Sequence, residues 1–464
     1  MKRPNILFIF TDQQRPDAIG LANPKIRTPA IDSIGLEGAY FSQACCNAPV
    51  CMPSRHSLFS GLYPSVLGNT CNGIEMPRDV PIFPHYLKEA GYWTANIGKL
   101  HFLNHSNRDH SLPHPDYGFD LLVNSDEPGC YDDAYIDWIR ARAPGEVDRC
   151  RCSSPPICEG PRHELEPRET DQPYAFRGPE ELTHSAFVAE QSIQAIREAP
   201  QGRPWFVCAG FYAPHAPVNP PKRIWDSYDP EDMPLPAWPE KLQPKDGGAG
   251  ARGKTEAQWR RIISAYYALT THVDEQIKKL LDFLREQDLE QDTLVVFTSD
   301  HGEFLGDYGQ VQKGPPGHDC IMRVPLVIRW PGRIPAGLRS DAPVELVDLA
   351  PTFLDLARVP VPGAFQGKSL RPLLEGGQYW ERKSCYQEFE KDGLRWRTVR
   401  MGPHTYAASS DNEEILWNRQ RDTREFLNLA EDPLEAAALQ RLRKELDSRT
   451  PTNRRTPPPR TGAY

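Results

Sequence analysis

No stretch of about 20 consecutive apolar residues occurs in the chain, so no membrane-spanning helix is expected. Net positive charge is missing as well. The 54 Lys and Arg are outnumbered by 63 Asp and Glu, for a formal charge of −9, which argues against a general nucleic-acid binder. An anionic substrate would have to be drawn by local cations or a metal rather than by the whole surface. A fully paired cysteine framework is excluded by the odd count of 11, which fits a reducing compartment. There is no internal repeat. The opening Met1 to Phe10 is basic and then apolar, but the apolar run is too short for a signal-peptide core and meets Thr11-Asp12-Gln13 at once. It reads as a first buried strand, and the chain as given reads as cytoplasmic, or periplasmic if a leader has been removed.

At 464 residues and 39% hydrophobic content the chain can bury a sizeable core, and its length suggests two to four domains at about 100–200 residues each. Three apolar runs end in chemistry-bearing residues: Asn5 to Phe10 before Asp12 and Gln13, Pro204 to Gly210 before His215, and Thr293 to Thr298 before Asp300 and His301. Continuous apolar runs mark strands buried on both faces, and open α/β sheets place ligands at the carboxyl ends of such strands. Helices are expected over 28–38, 83–90, 182–199 and 255–286, the last with Trp259, Ile262, Ile263, Tyr266, Val273, Ile277, Leu280 and Leu284 along one stripe. Residues 102–180 are irregular and read as inserted loops, of the kind that carry substrate selectivity, with His114, Asp116 and Tyr117 placed near the pocket. Within them Cys150, Cys152 and Cys158, with His163, allow a metal knuckle, a disulfide or plain loop thiols. From about Ser384 short alternating segments and a helix over 433–446 suggest a small antiparallel sheet with one helix. The Pro-, Arg- and Thr-rich residues 450–464 read as an extended or mobile tail. The expected division is 1–375, 376–449 and 450–464.

The most specific stretch is Cys51-Met52-Pro53-Ser54-Arg55, followed by Ser57-Leu58-Phe59-Ser60-Gly61. Pro53 in a first helical turn would aim backbone amides at an anion, with Arg55 one turn further on. Taken alone, Cys51 could be a buried structural thiol. The pattern resembles the signature of the sulfatase family, and the chain is similar to that family in order from Asp12 to its C-terminal helix, loops 102–180 and 218–254 apart. The resemblance implies that a maturation enzyme converts Cys51 to formylglycine (3-oxoalanine), whose hydrate supplies one hydroxyl to attack sulfur and a second to expel sulfate. Gly98-Lys99-Leu100-His101 resembles a second family element. Lys99 and His101 are expected to project to one face of an extended segment. Pro214-His215-Ala216-Pro217 resembles a third, with His215 or Lys313 as acid for the leaving oxygen. Asn72 matches a family asparagine near the bound anion, although Asn72-Gly73 is also an ordinary turn pair. His318 and Asp319 are placed at the rim, and the acids Glu345 and Asp348 are expected to be structural.

The resemblance implies an alkaline-phosphatase-like α/β fold: a mostly parallel central sheet flanked by helices, with a small C-terminal α+β subdomain. It implies one divalent metal held by Asp12, Gln13, Asp300, His301 and the modified Cys51, and Asp300 as base for the attacking hydroxyl. Arg55, Lys99, His101, His215 and Lys313 complete the catalytic set, and Asn72, Lys99, His215 and Lys313 bind substrate. Oxygen donors suit Ca²⁺ first, with Mn²⁺ or Mg²⁺ as alternatives. The expected reaction is hydrolysis of an aryl or carbohydrate sulfate monoester. Gln13 departs from the paired acids of sulfatases and resembles relatives that hydrolyse phosphonate monoesters and phosphodiesters, which is the first alternative. An unmatured, non-catalytic binder of sulfated glycans is the second. Expected partners are the sulfate ester and the maturation enzyme, with no nucleic acid or membrane; a homo-oligomer is compatible.

Overall fold

The computed structural model describes residues 3–105, 109–110, 112–151, 170–242, 250–377 and 380–462. The main sheet is built from β1 (Asn5–Asp12), β2 (Ala39–Phe41), β3 (Trp93–Gly98), β4 (Leu121–Asn124), β5 (Trp205–Pro214), β6 (Thr293–Ser299), β7 (Leu326–Arg329) and β8 (Leu338–Ser340). Their spatial order is β4-β3-β5-β1-β6-β7-β2-β8, and only β7 runs against the others. The expected mostly parallel sheet is present.

β1 shows why its sequence is apolar without alternation. Leu7 and Ile9 face one core, with the long helix Glu256–Glu286, while Ile6, Phe8 and Phe10 face another, with Phe59, Phe83 and Phe353. Both faces are covered, as buried parallel strands require, and each such side chain contributes about 1.5–3 kcal/mol. Among the helices, α1 (Cys51–Ser60), α2 (His184–Glu198), α3 (Glu256–Glu286) and α4 (Ala436–Arg449) matter here. Every residue of α1 is buried. It stops at Gly61, whose φ of +70° favours glycine and whose added Cβ would lie 2.6 Å from the Phe365 ring. α3 starts with a Thr255–Gln258 capping box and buries its whole apolar stripe. No helix among the described residues is long and apolar enough to cross a membrane.

The C-terminal unit is a four-stranded antiparallel sheet, β9 (Cys385–Lys391), β10 (Leu394–Met401), β11 (His404–Ser409) and β12 (Glu414–Asn418). Leu439, Leu442 and Leu446 of α4 cover it beside Tyr386, Val399 and Tyr406. It is fastened to the loop before α1, where the Asn47 side chain donates to Tyr386 O and Asn47 O accepts Glu388 N–H (2.9 and 3.0 Å). Glu345 and Asp348 are structural, tied to Arg382, with Glu345 also bonded to Arg449.

Two features differ from the reading of the sequence. The segment 102–180 is not all loop: Leu121–Asn124 pairs with Trp93–Gly98 as an edge strand of the main sheet, and Ala134–Arg142 is a helix capped by Asp133. Residues 450–462 are extended and docked. Arg455 N–H donates to Ser65 O and Thr461 N–H to Gly73 O, both at 2.9 Å, which lays this segment beside the turn that follows α1. The nine described cysteines are buried, Cys150 among them; Cys152, Cys158 and His163 lie outside the described residues.

Candidate active site

β1 and β6 are hydrogen-bonded neighbours in parallel register, Thr11 opposite Ser299, so Asp12 and Asp300 emerge side by side. Gln13 follows in the left-handed region at φ +64°, and its N–H donates to Asp300 Oδ1 (3.0 Å). The start of α1 brings Cys51 to this pair: Sγ lies 3.3 Å from His301 Nε2 and 3.7 Å from Asp12 Oδ1. Ligand atoms of Asp12, Cys51, Asp300 and His301 all lie within 4.8 Å of one another, and all four residues are buried. His301 Nδ1 donates to Gly302 O (2.8 Å), since a carbonyl only accepts, so Nε2 faces the cluster with its lone pair.

Arg55 welds the two halves together. Its Nε donates to Asp300 Oδ2 (2.7 Å), one Nη to Asp12 Oδ2 (3.2 Å) and the other to Lys99 O (3.2 Å). Lys99 Nζ pairs with Asp12 Oδ2 at 2.8 Å and lies over the Tyr212 ring. Lys313 Nζ donates to Gln13 Oε1 and to Cys51 Sγ, each at 2.8 Å. Burial works against charge on Asp12, but Lys99, His215, Lys313 and Arg55 hold it well below the usual carboxylate range. Burial likewise opposes charge on Lys313, yet Cys51 and Asp12 outweigh it and raise its pKa. The Cys51 thiol is pushed up to about 11, by burial first and then by Asp12. An unmodified Cys51 therefore stays a thiol at neutral pH and is a poor nucleophile.

His101 and His215 are set differently. Lys99 and His101 lie beyond the end of β3 rather than on an extended segment, and His101 is left-handed at φ +58°. Asp126 Oδ1 imposes that turn by accepting both Leu100 N–H (2.8 Å) and His101 N–H (2.7 Å). Both ring nitrogens of His101 are buried without a hydrogen-bond partner among the described residues. Burial, then His105 and Lys99, drive its pKa well below the usual histidine value. His215 Nδ1 donates to Ala216 O (2.6 Å), leaving Nε2 as acceptor. Burial, then Lys313, keep it neutral.

The expected residues Asp12, Gln13, Cys51, Arg55, Lys99, Asp300, His301 and Lys313 are thus brought together, with His101 and His215 in the electrostatic reach of Asp12. Asn72 stands beside the start of α1: its Oδ1 accepts Met52 N–H (3.1 Å) and caps the helix, whose N-cap residue Val50 makes no side-chain bond. His318 stacks on Tyr308, and Asp319 is consumed by Arg323, Arg400 and Arg419, so neither forms part of the Cys51 cluster. Asp116 is exposed, His114 half-buried, and Tyr117 packs on Phe102.

Several residues of the site do not stand out in the sequence. Glu303 is fully buried; its Oε1 accepts the N–H groups of Leu305 and Gln312, and its Oε2 accepts Gln13 Nε2 and the Thr170 hydroxyl. With its NH₂ given to Glu303 and its oxygen receiving Lys313, the Gln13 amide can only present oxygen to the cluster. Asp126 and Glu127 are also missed. Ser125-Asp126-Glu127 follows a strand just as Asp12 and Asp300 do, which was the available signal. The donor set of two carboxylates, an oriented amide oxygen and one imidazole nitrogen fits a hard divalent cation.

A family model described as Sulfatase matches residues 4–359, and one described as N-sulphoglucosamine sulphohydrolase, C-terminal, matches 316–451. An arylsulfatase of Clostridium perfringens is 29% identical over 94% of this chain and 90% of its own length. An N-acetylglucosamine-6-O-sulfatase of Bacteroides thetaiotaomicron is 27% identical over 84% of this chain and 75% of its own. The crystal structure of a phosphonate monoester hydrolase of Agrobacterium radiobacter superposes with a TM-score of 0.81 at 25% identity, covering 96% of this chain and 95% of that one. Fold, signature and family match agree: the chain belongs to the sulfatase family, sulfuric ester hydrolases that use a metal and a formylglycine.

Proposed function

We propose that the protein hydrolyses a sulfate monoester of an aryl or carbohydrate alcohol, with Cys51 matured to formylglycine and one divalent cation, Ca²⁺ first, held by Asp12, Gln13, Asp300 and His301. One observation carries this reading: around Cys51 Sγ meet a cation-ready donor set and the two lysines Lys99 and Lys313. When bound, the cation polarises a sulfate oxygen, and the hydrated aldehyde supplies the nucleophile.

The chain's own residues then divide the work. Arg55 fixes Asp12 and Asp300 in place and excludes water from behind them. Lys99 and Lys313 concentrate positive charge where an anionic ester would sit, in a buried site where such charge is most effective. His101, neutral and with free ring nitrogens, accepts a proton from a hydroxyl at residue 51. Lys313 Nζ is the proton donor to the leaving oxygen, because His215 is held neutral with only Nε2 as acceptor; His215 receives a hydrogen bond instead. Asn72 keeps the first turn of α1, and with it residue 51, in register.

A phosphonate monoester substrate is the second reading. Gln13 in place of an acid and the likeness to the phosphonate monoester hydrolase favour it. The test begins with the mass of the peptide containing Cys51 in protein co-expressed with a formylglycine-generating enzyme. Conversion lowers it by about 18 Da. The converted sample is then given an aryl sulfate and an aryl phosphonate monoester in parallel. Faster sulfate turnover supports the first reading, faster phosphonate turnover the second, and an unconverted Cys51 with a control substrate converted rejects both.

A further inference from the structure

Between the main sheet and the C-terminal sheet lies a cavity of about 840 Å³ whose walls carry Arg323, Arg339, Lys383, Arg400 and Arg419. Three of these share a single carboxylate. Arg323 grips both oxygens of Asp319 (2.7 and 2.6 Å), and Arg400 and Arg419 both donate to its Oδ1. Asp319 and the buried Glu425, which accepts the Asp319 N–H, set two carboxylates against three guanidiniums, so the trio is left with positive charge in excess by one. Arg419 keeps a buried Nε with no hydrogen-bond partner among the described residues. Arg339 lies over the Tyr40 ring, and neither it nor Lys383 has an ion-pair partner among the described residues. Of the acids on the same walls, Asp17 is paired with Arg15, while Asp341 accepts the Ser42 hydroxyl and keeps its charge, which still leaves the walls net positive. In a chain of net charge −9 this surplus is local. Burial first, then Arg400 and Arg323, pull the Arg419 pKa below its usual value, against Asp319 and Glu425.

The cavity opens at the same edge of the main sheet as the active site. Ser42 and Gln43 follow β2, and Asp341 follows β8, both of which run with β1. β2 is the third strand from β1, a separation of about 14 Å at about 4.8 Å per strand. None of the residues gathered around Cys51 lines it.

We propose that this cavity is a second oxyanion site, which takes a sulfate, phosphate or carboxylate group independently of the one at Cys51. Planar guanidiniums on converging walls suit such groups, which accept paired N–H bonds. The oxyanion can come from two sources: a free inorganic ion, or a further anionic group on a polyanionic substrate whose ester is at Cys51. The second source rests on the sulfatase reading; the first does not.

Calorimetric titration of the metal-loaded protein with inorganic sulfate tests it, comparing wild type with the R339Q/K383Q variant, whose two positions are exposed. Wild type is expected to bind one more sulfate than the variant, and turnover of a small monosulfated aryl ester should be equal in both. If the natural occupant is a distal group of the substrate, kcat/KM for a polysulfated oligosaccharide also falls roughly tenfold in the variant, the loss of about one charge-assisted contact. If it is a free ion, oligosaccharide kinetics stay unchanged while the extra sulfate is lost. Equal sulfate stoichiometry together with equal oligosaccharide kinetics overturns the proposal. A failure of the sulfatase reading appears separately, as absence of sulfate ester turnover in both proteins with the difference in stoichiometry intact.

Discussion

Replacing Glu303 by Gln should weaken divalent-cation binding about 10–100-fold while leaving the protein folded. The side-chain oxygen at position 303 is claimed by the fixed N–H groups of Leu305 and Gln312. The new NH₂ is therefore left facing the NH₂ of Gln13, and two donors meet where a donor and an acceptor stood. Gln13 relieves this by turning its amide, which aims Nε2 at Lys313 and withdraws an oxygen from the cation. One lost bond to a charged partner costs about 1.5–3 kcal/mol, or one to two decades in affinity. Gln13→Glu alone should also bind poorly, because it sets two buried carboxylates in contact. The double variant Q13E/E303Q restores the order of donor and acceptor and should recover most of the affinity. Competition against a fluorescent chelator, with Mn²⁺ and Ca²⁺ in turn, measures the four proteins, and calorimetry checks that each is folded. E303Q binding within about threefold of wild type, or a double variant weaker than both single ones, would refute the reasoning, since coupled neighbours must depart from additivity in this direction.

Arg55→Lys keeps the charge but cannot bridge Asp12, Asp300 and Lys99 O together; a loss of about 3 kcal/mol in urea unfolding is expected. Asp319→Asn leaves three guanidiniums with Glu425 alone against them and should cost about 3–5 kcal/mol. In the wild type, burial opposes the Asp319 charge but Arg323, Arg400 and Arg419 outweigh it and depress its pKa. Its contribution is complete above the unfolded aspartate value of about 3.9 and is lost as pH falls below that. Unfolding curves of wild type and variant should therefore converge in acid and part at neutral pH. Removing the cation with a chelator should lower Tm by only about 3 °C from its value at about 100 times Kd, because Asp12 and Asp300 keep Lys99 and Arg55 as partners. Cooperative unfolding on chelation would contradict that.

The site was largely legible because its chemistry sits in short contiguous motifs at strand ends: Asp12-Gln13, Cys51 to Arg55, Asp300-His301. What escaped reading depends on long-range partners. Glu303 looks like any acid after a strand until Gln13, 290 residues away, is seen to lean on it. Leu121–Asn124 is only four residues long, and nothing local declares that it extends the main sheet. Alternation predicts an extended conformation at His101, whereas Asp126, 25 residues on, accepts its backbone N–H and turns it left-handed. Residues 450–462 have the composition of a disordered segment, but docking to Ser65 and Gly73 outweighs it.

The placement of β1 at the centre of the main sheet has a consequence in time. Its two neighbours are residues 205–214 and 293–299, so during synthesis the strand that carries Asp12 has nothing to pair with until the chain has grown far past it. Contacts of such wide sequence separation form late and slowly. On the proposed reading, Cys51, sealed in the finished fold, would stay within reach of a maturation enzyme while about 250 further residues are made. At about 5–20 residues per second that interval is roughly 12–50 s. If Cys51 is matured as proposed, the order of strands sets the interval in which that covalent change is made.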